Sequence, residues 1–165
     1  PYGSEDNSLF PKKGKDAFDS WDPHLIYVEG GNTFWLHHCI QKGNWTDDII
    51  SACTGPNAAV YCGKSAGAIV AGKRVGTACW KQMDDPRIIK GMERYEDWDA
   101  VQGLSLAGDL SFFPHMREKW ESLIREKQKY DPNVICLTDF EVCCINGDER
   151  KINLVTVKHD GAQNE

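Results

Sequence analysis

The sequence predicts an α/β fold in which a mostly parallel sheet is flanked by helices, and three observations predict it. Apolar strands at 24–28 and 58–62 each end in a glycine-containing turn and pass directly into a helical pattern. A third strand-like segment, Phe112-Phe113-Pro114-His115, enters an amphipathic stretch that Asp131-Pro132 breaks before another apolar strand at 134–137. Strands alternating with helices build parallel sheets covered on both faces, and ligands gather beyond the carboxyl ends of their strands.

The chain opens at Pro1 with a polar, glycine- and lysine-rich stretch to about Ser20, read as a lead-in to a single domain over 1–165. Its first residues show neither an initiator Met nor a signal-peptide pattern. The expectation is a fragment or processed chain, with at least one βα unit before residue 1 lost or supplied separately.

The strand from His24 to Val28 ends at Glu29-Gly30-Gly31-Asn32, and a helix is expected from Thr33 to Gln41. A second helix runs from Trp45 to Cys53, with Asn44 or Thr46 as its cap and a stop near Gly55-Pro56-Asn57. The strand from Ala58 to Cys62 leads through Gly63-Lys64-Ser65-Ala66-Gly67 into a helix of small residues ending at Ala71. Strands are expected at Val75 to Cys79 and Ala100 to Leu106, separated by a charged loop from Asp84 to Asp99. After His115 the pattern predicts a helix from Met116 to Lys129 and a buried strand from Val134 to Leu137. Glu141 to Ile145 and Ile152 to Lys158 alternate like a β-hairpin around Asn146-Gly147-Asp148.

Composition narrows the function. A chain of 165 residues with 41% hydrophobic residues can bury one sizeable core. No apolar run approaches the roughly 18 to 20 residues of a membrane helix, so no membrane partner is expected. The formal charge of −6 and the absence of a basic cluster argue against nucleic acid. Seven cysteines without metal-ligand spacing read as reduced, buried thiols in a reducing, cytoplasmic compartment, with no metal bound.

Gly63-x-Ser65-x-Gly67 matches a nucleophile elbow, in which small flanking residues let the chain turn sharply enough to hold an exposed serine under strain. The apolar strand before it and the helix after it are the context an elbow requires. Gly63-Lys64-Ser65 also resembles the end of a phosphate-binding loop. The preceding Ala59-Val60-Tyr61-Cys62, however, is apolar and strand-like, where such a loop needs flexible, glycine-rich backbone.

A serine hydroxyl needs a base and an orienting carboxylate. Of the five histidines, His115 alone follows a strand-like segment and enters a loop. Asp139, just past the strand at 134–137, is the chosen acid, and Glu141 on the same face is the reserve. The N–H groups of the Gly30-Gly31-Asn32 turn, together with that of Ala66, could hold a tetrahedral oxyanion, a contribution of about 3 to 4 kcal/mol per donor.

Four motifs, Glu29-Gly-Gly-Asn-Thr33, Gly63-Lys-Ser-Ala-Gly67, Phe113-Pro-His115 and Leu137-Thr-Asp139, give residues 24–155 a resemblance to the peptidase E family of aspartyl dipeptidases and cyanophycinases. The resemblance implies a class I glutamine-amidotransferase-like fold lacking its N-terminal part. It also implies serine-type amide hydrolysis through an acyl-enzyme on small peptides, with N-terminal aspartate a candidate specificity, and no cofactor. By the same resemblance Ser65 is the nucleophile, His115 the base and acid, and Asp139 the orienting acid. The resemblance also implies an oxyanion hole at Gly31 and Ala66, and Gly30, Asn32 and Arg117 are expected to contact substrate. The chain departs from the dipeptidases in carrying Asp where they carry Glu and in a shorter segment between His115 and Asp139. Partners beyond a small peptide are expected to be a second copy or a separate N-terminal segment that completes the sheet. Two rivals stand beside this reading: a catalytically silent binding or scaffold protein of the same fold, and a cysteine-dependent amidotransferase relative using Cys62 or Cys79.

Overall fold

The computed structural model describes residues 22–89, 101–146 and 151–157. The lead-in, most of the charged loop before Asp99 and the Gly147-Asp148 turn lie outside the described residues.

β1 (Leu25–Val28) and β2 (Val60–Gly63) pair in parallel, with Leu25 opposite Val60 and Val28 opposite Gly63. The crossover between them carries α1 (Thr33–Lys42) and α2 (Thr46–Ala52). Asn32 starts α1 because its side-chain oxygen accepts the Trp35 N–H at 3.0 Å, a cap that contributes about 1 kcal/mol. Thr33, Phe34, His37 and Ile40 then fall on one buried face of α1. α2 starts differently from expectation: Trp45 is its cap residue and makes no side-chain cap bond, so neither Asn44 nor Thr46 caps it. Asp47 and Asp48 in its first turn instead complement the positive end of the helix.

α3 (Ala66–Ala71) follows β2 and is buried along nearly all its length, through Ala66, Gly67, Ile69, Val70 and Ala71. It anchors the main core, where Ile69 and Val70 meet Phe34, Ile40, Ile49, Val75 and Leu104.

Of the strands expected at 75–79 and 100–106, neither forms over the described residues, and Ala100 lies outside them. Gly76–Cys79 is a 3-10 turn, tied down by the Thr77 hydroxyl donating to Phe112 O at 2.7 Å. Residues 101–106 fold back over the end of α3: Leu104 N donates to Val70 O and Ser105 N to Gly72 O. An isolated antiparallel bridge joins Arg74 and Gln102, flanked by Val75 N donating to Val101 O and Gly103 N to Lys73 O. Apolar alternation there serves packing against a helix end rather than a ladder.

β3 (Ser111–Phe113) pairs in parallel with β4 (Val134–Cys136), and α4 (Glu121–Lys127) crosses between them after a 3-10 turn at Glu118–Trp120. The helix expected from Met116 starts later because Arg117 has an extended backbone, at φ −142° and ψ 158°. Phe113, Ile124 and Val134 form a second cluster. β5 (Glu141–Asn146) and β6 (Lys151–Thr156) make the expected antiparallel hairpin. Among the described residues the strands thus form three two-stranded ladders, two parallel and one antiparallel, within an α/β chain.

Candidate active site

The carboxyl ends of the four parallel strands deliver the site. Two residues beyond β1, β2 and β3 stand Gly30, Ser65 and His115, and three beyond β4 stands Asp139. The two ladders meet there.

Ser65 sits at φ 51° and ψ −110°, a left-handed backbone that non-glycine residues rarely adopt. Close packing holds that turn. A Cβ on Gly67 would lie 2.1 Å from Val28 O, and one on Gly63 would lie 2.5 Å from Gly67 O, so neither position admits a side chain. The two glycines of the motif are therefore contact requirements of the strand-to-helix turn, which presses α3 onto the end of β1.

Backbone bonds also set His115. Leu137 N donates to Phe113 O at 3.0 Å and Leu137 O accepts from Met116 N, so Leu137 brackets Pro114 and His115. His115 itself has φ 56°. Lys81 donates to Pro114 O at 2.6 Å, and burial against that loop pushes its ammonium pKa down.

Ser65, His115 and Asp139 form one hydrogen-bonded line. His115 Nε2 lies 2.8 Å from Ser65 Oγ, and His115 Nδ1 bonds Asp139 Oδ1. The hydrogen bond to His115 holds the Asp139 carboxyl below its usual range, helped by Arg117, whose Nη2 is 3.4 Å from Oδ2. An ionised Asp139 accepts a hydrogen bond from the Nδ1 N–H, which leaves Nε2 with a lone pair facing the serine hydroxyl.

Glu141, the reserve acid, is elsewhere: its Oε2 accepts the Thr138 N–H at 2.8 Å, and that bond lowers its pKa. Gly30 packs on Ser65, since a Cβ there would meet Ser65 Cβ at 3.2 Å. Gly31 has φ +138°, a conformation that suits glycine. Asn32 is used twice within its own turn and neighbourhood, capping α1 and donating from Nδ2 to Asp85 O at 3.1 Å.

The two cysteines of the rival reading are not part of this line. Cys62 is exposed on β2 opposite Tyr27, and Cys79 packs against the main core. The expectation of uniformly buried thiols is also corrected, because Cys62 and Cys144 are exposed and the other five are half-buried. None of the seven is in a disulfide. Among the described residues no group of three or more His, Cys, Asp or Glu side chains could hold a metal ion, and no helix is long and apolar enough to cross a membrane.

Sequence reading missed two sets of contacts. Glu29 binds Gly30 N, Lys64 and Tyr27, and Asp84 accepts from Thr33 N at 3.0 Å across a separation of 51 residues. The juxtaposition of Glu29 with the glycine turn was a local signal that could have pointed to the first; no local signal marks the second.

None of the curated proteins matches this chain. A solved structure from Listeria monocytogenes EGD-e, whose designation as a peptidase E protein is itself provisional, shares its fold at a TM-score of 0.61 and 20% identity. That likeness covers 82% of this chain and 60% of the Listeria chain, so this chain spans about three fifths of its structural neighbour's length. The family model for peptidase family S51 matches residues 15–153, a span that contains the elbow, both parallel ladders and all three residues of the line, and the chain belongs to that family.

Proposed function

We propose that this chain is a serine-type peptidase that cleaves small peptides through an acyl-enzyme on Ser65. The observation that carries this reading is the line from Ser65 Oγ through His115 to Asp139, set on an elbow whose serine holds a left-handed backbone.

In the proposed cycle His115 Nε2 takes the Ser65 proton as Oγ attacks the scissile carbonyl carbon. The N–H groups of Gly31 and Ala66 receive the oxyanion, and ionised Asp139 stabilises the imidazolium. His115 then gives its proton to the departing amine as the C–N bond breaks. Water attacks the ester, passes a proton to His115 and releases the carboxylate product, and the proton returns to Ser65. No step calls for a cofactor.

An N-terminal aspartate is the substrate side chain we propose first. Arg117 supports it: its guanidinium reaches Asp139 from the rim with its side chain 66% exposed, so an acidic substrate group can share it. Seven cysteines, none of them in a disulfide, support a reducing compartment such as the cytoplasm.

The test is hydrolysis of a dipeptide panel, Asp-Leu, Glu-Leu, Asn-Leu and Ala-Leu, by the chain and by Ser65→Ala. The expected result is turnover led by Asp-Leu and abolished in the variant. Turnover that survives Ser65→Ala would overturn the serine mechanism, and equal rates across the panel would overturn the aspartate preference alone.

A further inference from the structure

We infer that Glu29 is a positioning residue which, with Lys64, clamps the glycine turn after β1 to the serine-bearing elbow after β2 and so sets the spacing of the two oxyanion donors. The inference rests on the Ser65 reading above and adds to it a pair of residues that never touch substrate.

Glu29 closes a compact network. Its Oε1 accepts from Gly30 N at 3.0 Å and from Lys64 Nζ at 2.9 Å, while its Oε2 accepts from the Tyr27 hydroxyl at 2.8 Å. These three donors hold its carboxyl at a pKa of about 2, the Gly30 N–H contributing most. The last ladder bond between the strands is Lys64 N to Val28 O at 2.9 Å. Beyond it the chains diverge into their two turns, and the Glu29–Lys64 pair is the polar contact that joins them.

The turn needs such a tether. Gly30 and Gly31 have no side chains to restrict their backbone, so the direction of the Gly31 N–H depends on what fixes the peptide before it. Glu29 fixes the Gly30 N–H and, through Lys64, ties it to the residue preceding Ser65. On the other side, Ala66 is only 1% exposed and its position is set by core packing. One donor is thus held by the core and the other by an ion pair.

Both charges are well exposed, at 65% for Lys64 and 59% for Glu29, so the pair adds little to stability and is open to salt. The consequence of losing it is therefore expected in the rate of chemistry rather than in folding.

The experiment measures the second-order rate at which diisopropyl fluorophosphate modifies Ser65, followed by intact mass. Oγ displaces fluoride from phosphorus, His115 takes the hydroxyl proton, and the P=O oxygen occupies the oxyanion position. The proteins are the unmodified chain, Glu29→Gln, Lys64→Met, the double variant and Ser65→Ala. Each single variant should slow modification about three- to tenfold, because a misdirected donor weakens only the transition state. The double variant should be no slower than the singles, since they remove the same contact. Added NaCl should slow the unmodified chain towards the variants and leave the variants unchanged, with melting temperatures within about 2 °C of one another. In turnover the loss should appear in kcat with KM preserved. Single variants within about twofold of the unmodified rate, or effects that multiply in the double variant, would overturn the clamp while Ser65 remained the labelled residue. An adduct that persists in Ser65→Ala, or none on the unmodified chain, would instead overturn the serine reading beneath it.

Discussion

The elbow that carries Ser65 and the loop that carries Asp139 supply the two ends of one hydrogen-bonded line, yet different forces hold them. Around Ser65 the restraint is steric: Gly63 and Gly67 meet backbone atoms where no Cβ fits, and the helix that follows is sealed into the core. Around Asp139 the restraint is polar: His115 and Arg117 hold the carboxylate, and Glu141 holds the Thr138 N–H, all with substantial exposure to water. Packing is all-or-none, because protein interiors do not give by half an ångström without cost. Polar tethers are graded and answer to pH and salt. Changes at the elbow should therefore abolish the fold or the site together, whereas changes at the acid loop should tune the rate.

The largest effect expected is that of Gly67→Ala. Its new methyl would lie 2.1 Å from Val28 O, so α3 must move off β1, and a loss of about 3 kcal/mol or more in chemical denaturation is predicted. A midpoint equal to that of the unmodified chain would remove the steric half of the comparison.

Asp139→Asn comes next. It should leave the fold intact and cut turnover roughly 10²- to 10⁴-fold, because an amide no longer selects the tautomer with the lone pair on Nε2. The same substitution gives the pH prediction. The folded pKa of Asp139 is lowered from 3.8, so its contribution to stability is complete above that value and is lost as pH falls through the lowered one. Melting temperatures of the unmodified chain and the variant should accordingly differ most above about pH 4 and converge below it. A gap that widens on acidification would reverse the sign and exclude an ionised Asp139.

The smallest effect is expected from Glu141→Gln. The amide oxygen can still accept the Thr138 N–H, and only the charge is lost, so turnover should fall by no more than about threefold. A loss as large as that of Asp139→Asn would mean that Glu141, not Asp139, serves His115.

The same contrast separates what the sequence made legible from what it concealed. The elbow was readable because its requirements are local: an apolar strand, two glycines around a serine and small residues in the next turn. The start of α1 at Thr33 and the hairpin were readable for the same reason. His115 and Asp139 came from their places after strands, since the carboxyl ends of parallel strands converge. The misplaced strands at 75–79 and 100–106 failed because alternating apolar residues fit a helix end as well as a ladder, and Gly103 approaches Gly72 O too closely for any side chain. Lys81 reaching Pro114 O and Asp84 reaching Thr33 bridge 33 and 51 residues, distances at which no local pattern carries information.

The most direct test of the central claim is intact-mass spectrometry of the chain and of Ser65→Ala after treatment with a fluorophosphonate, which needs no knowledge of substrate. A single adduct on the unmodified chain, mapped to Ser65 and absent from the variant, is the predicted result. Labelling that persists in Ser65→Ala, or an unlabelled chain whose melting curve shows it folded, would contradict an activated serine at this elbow.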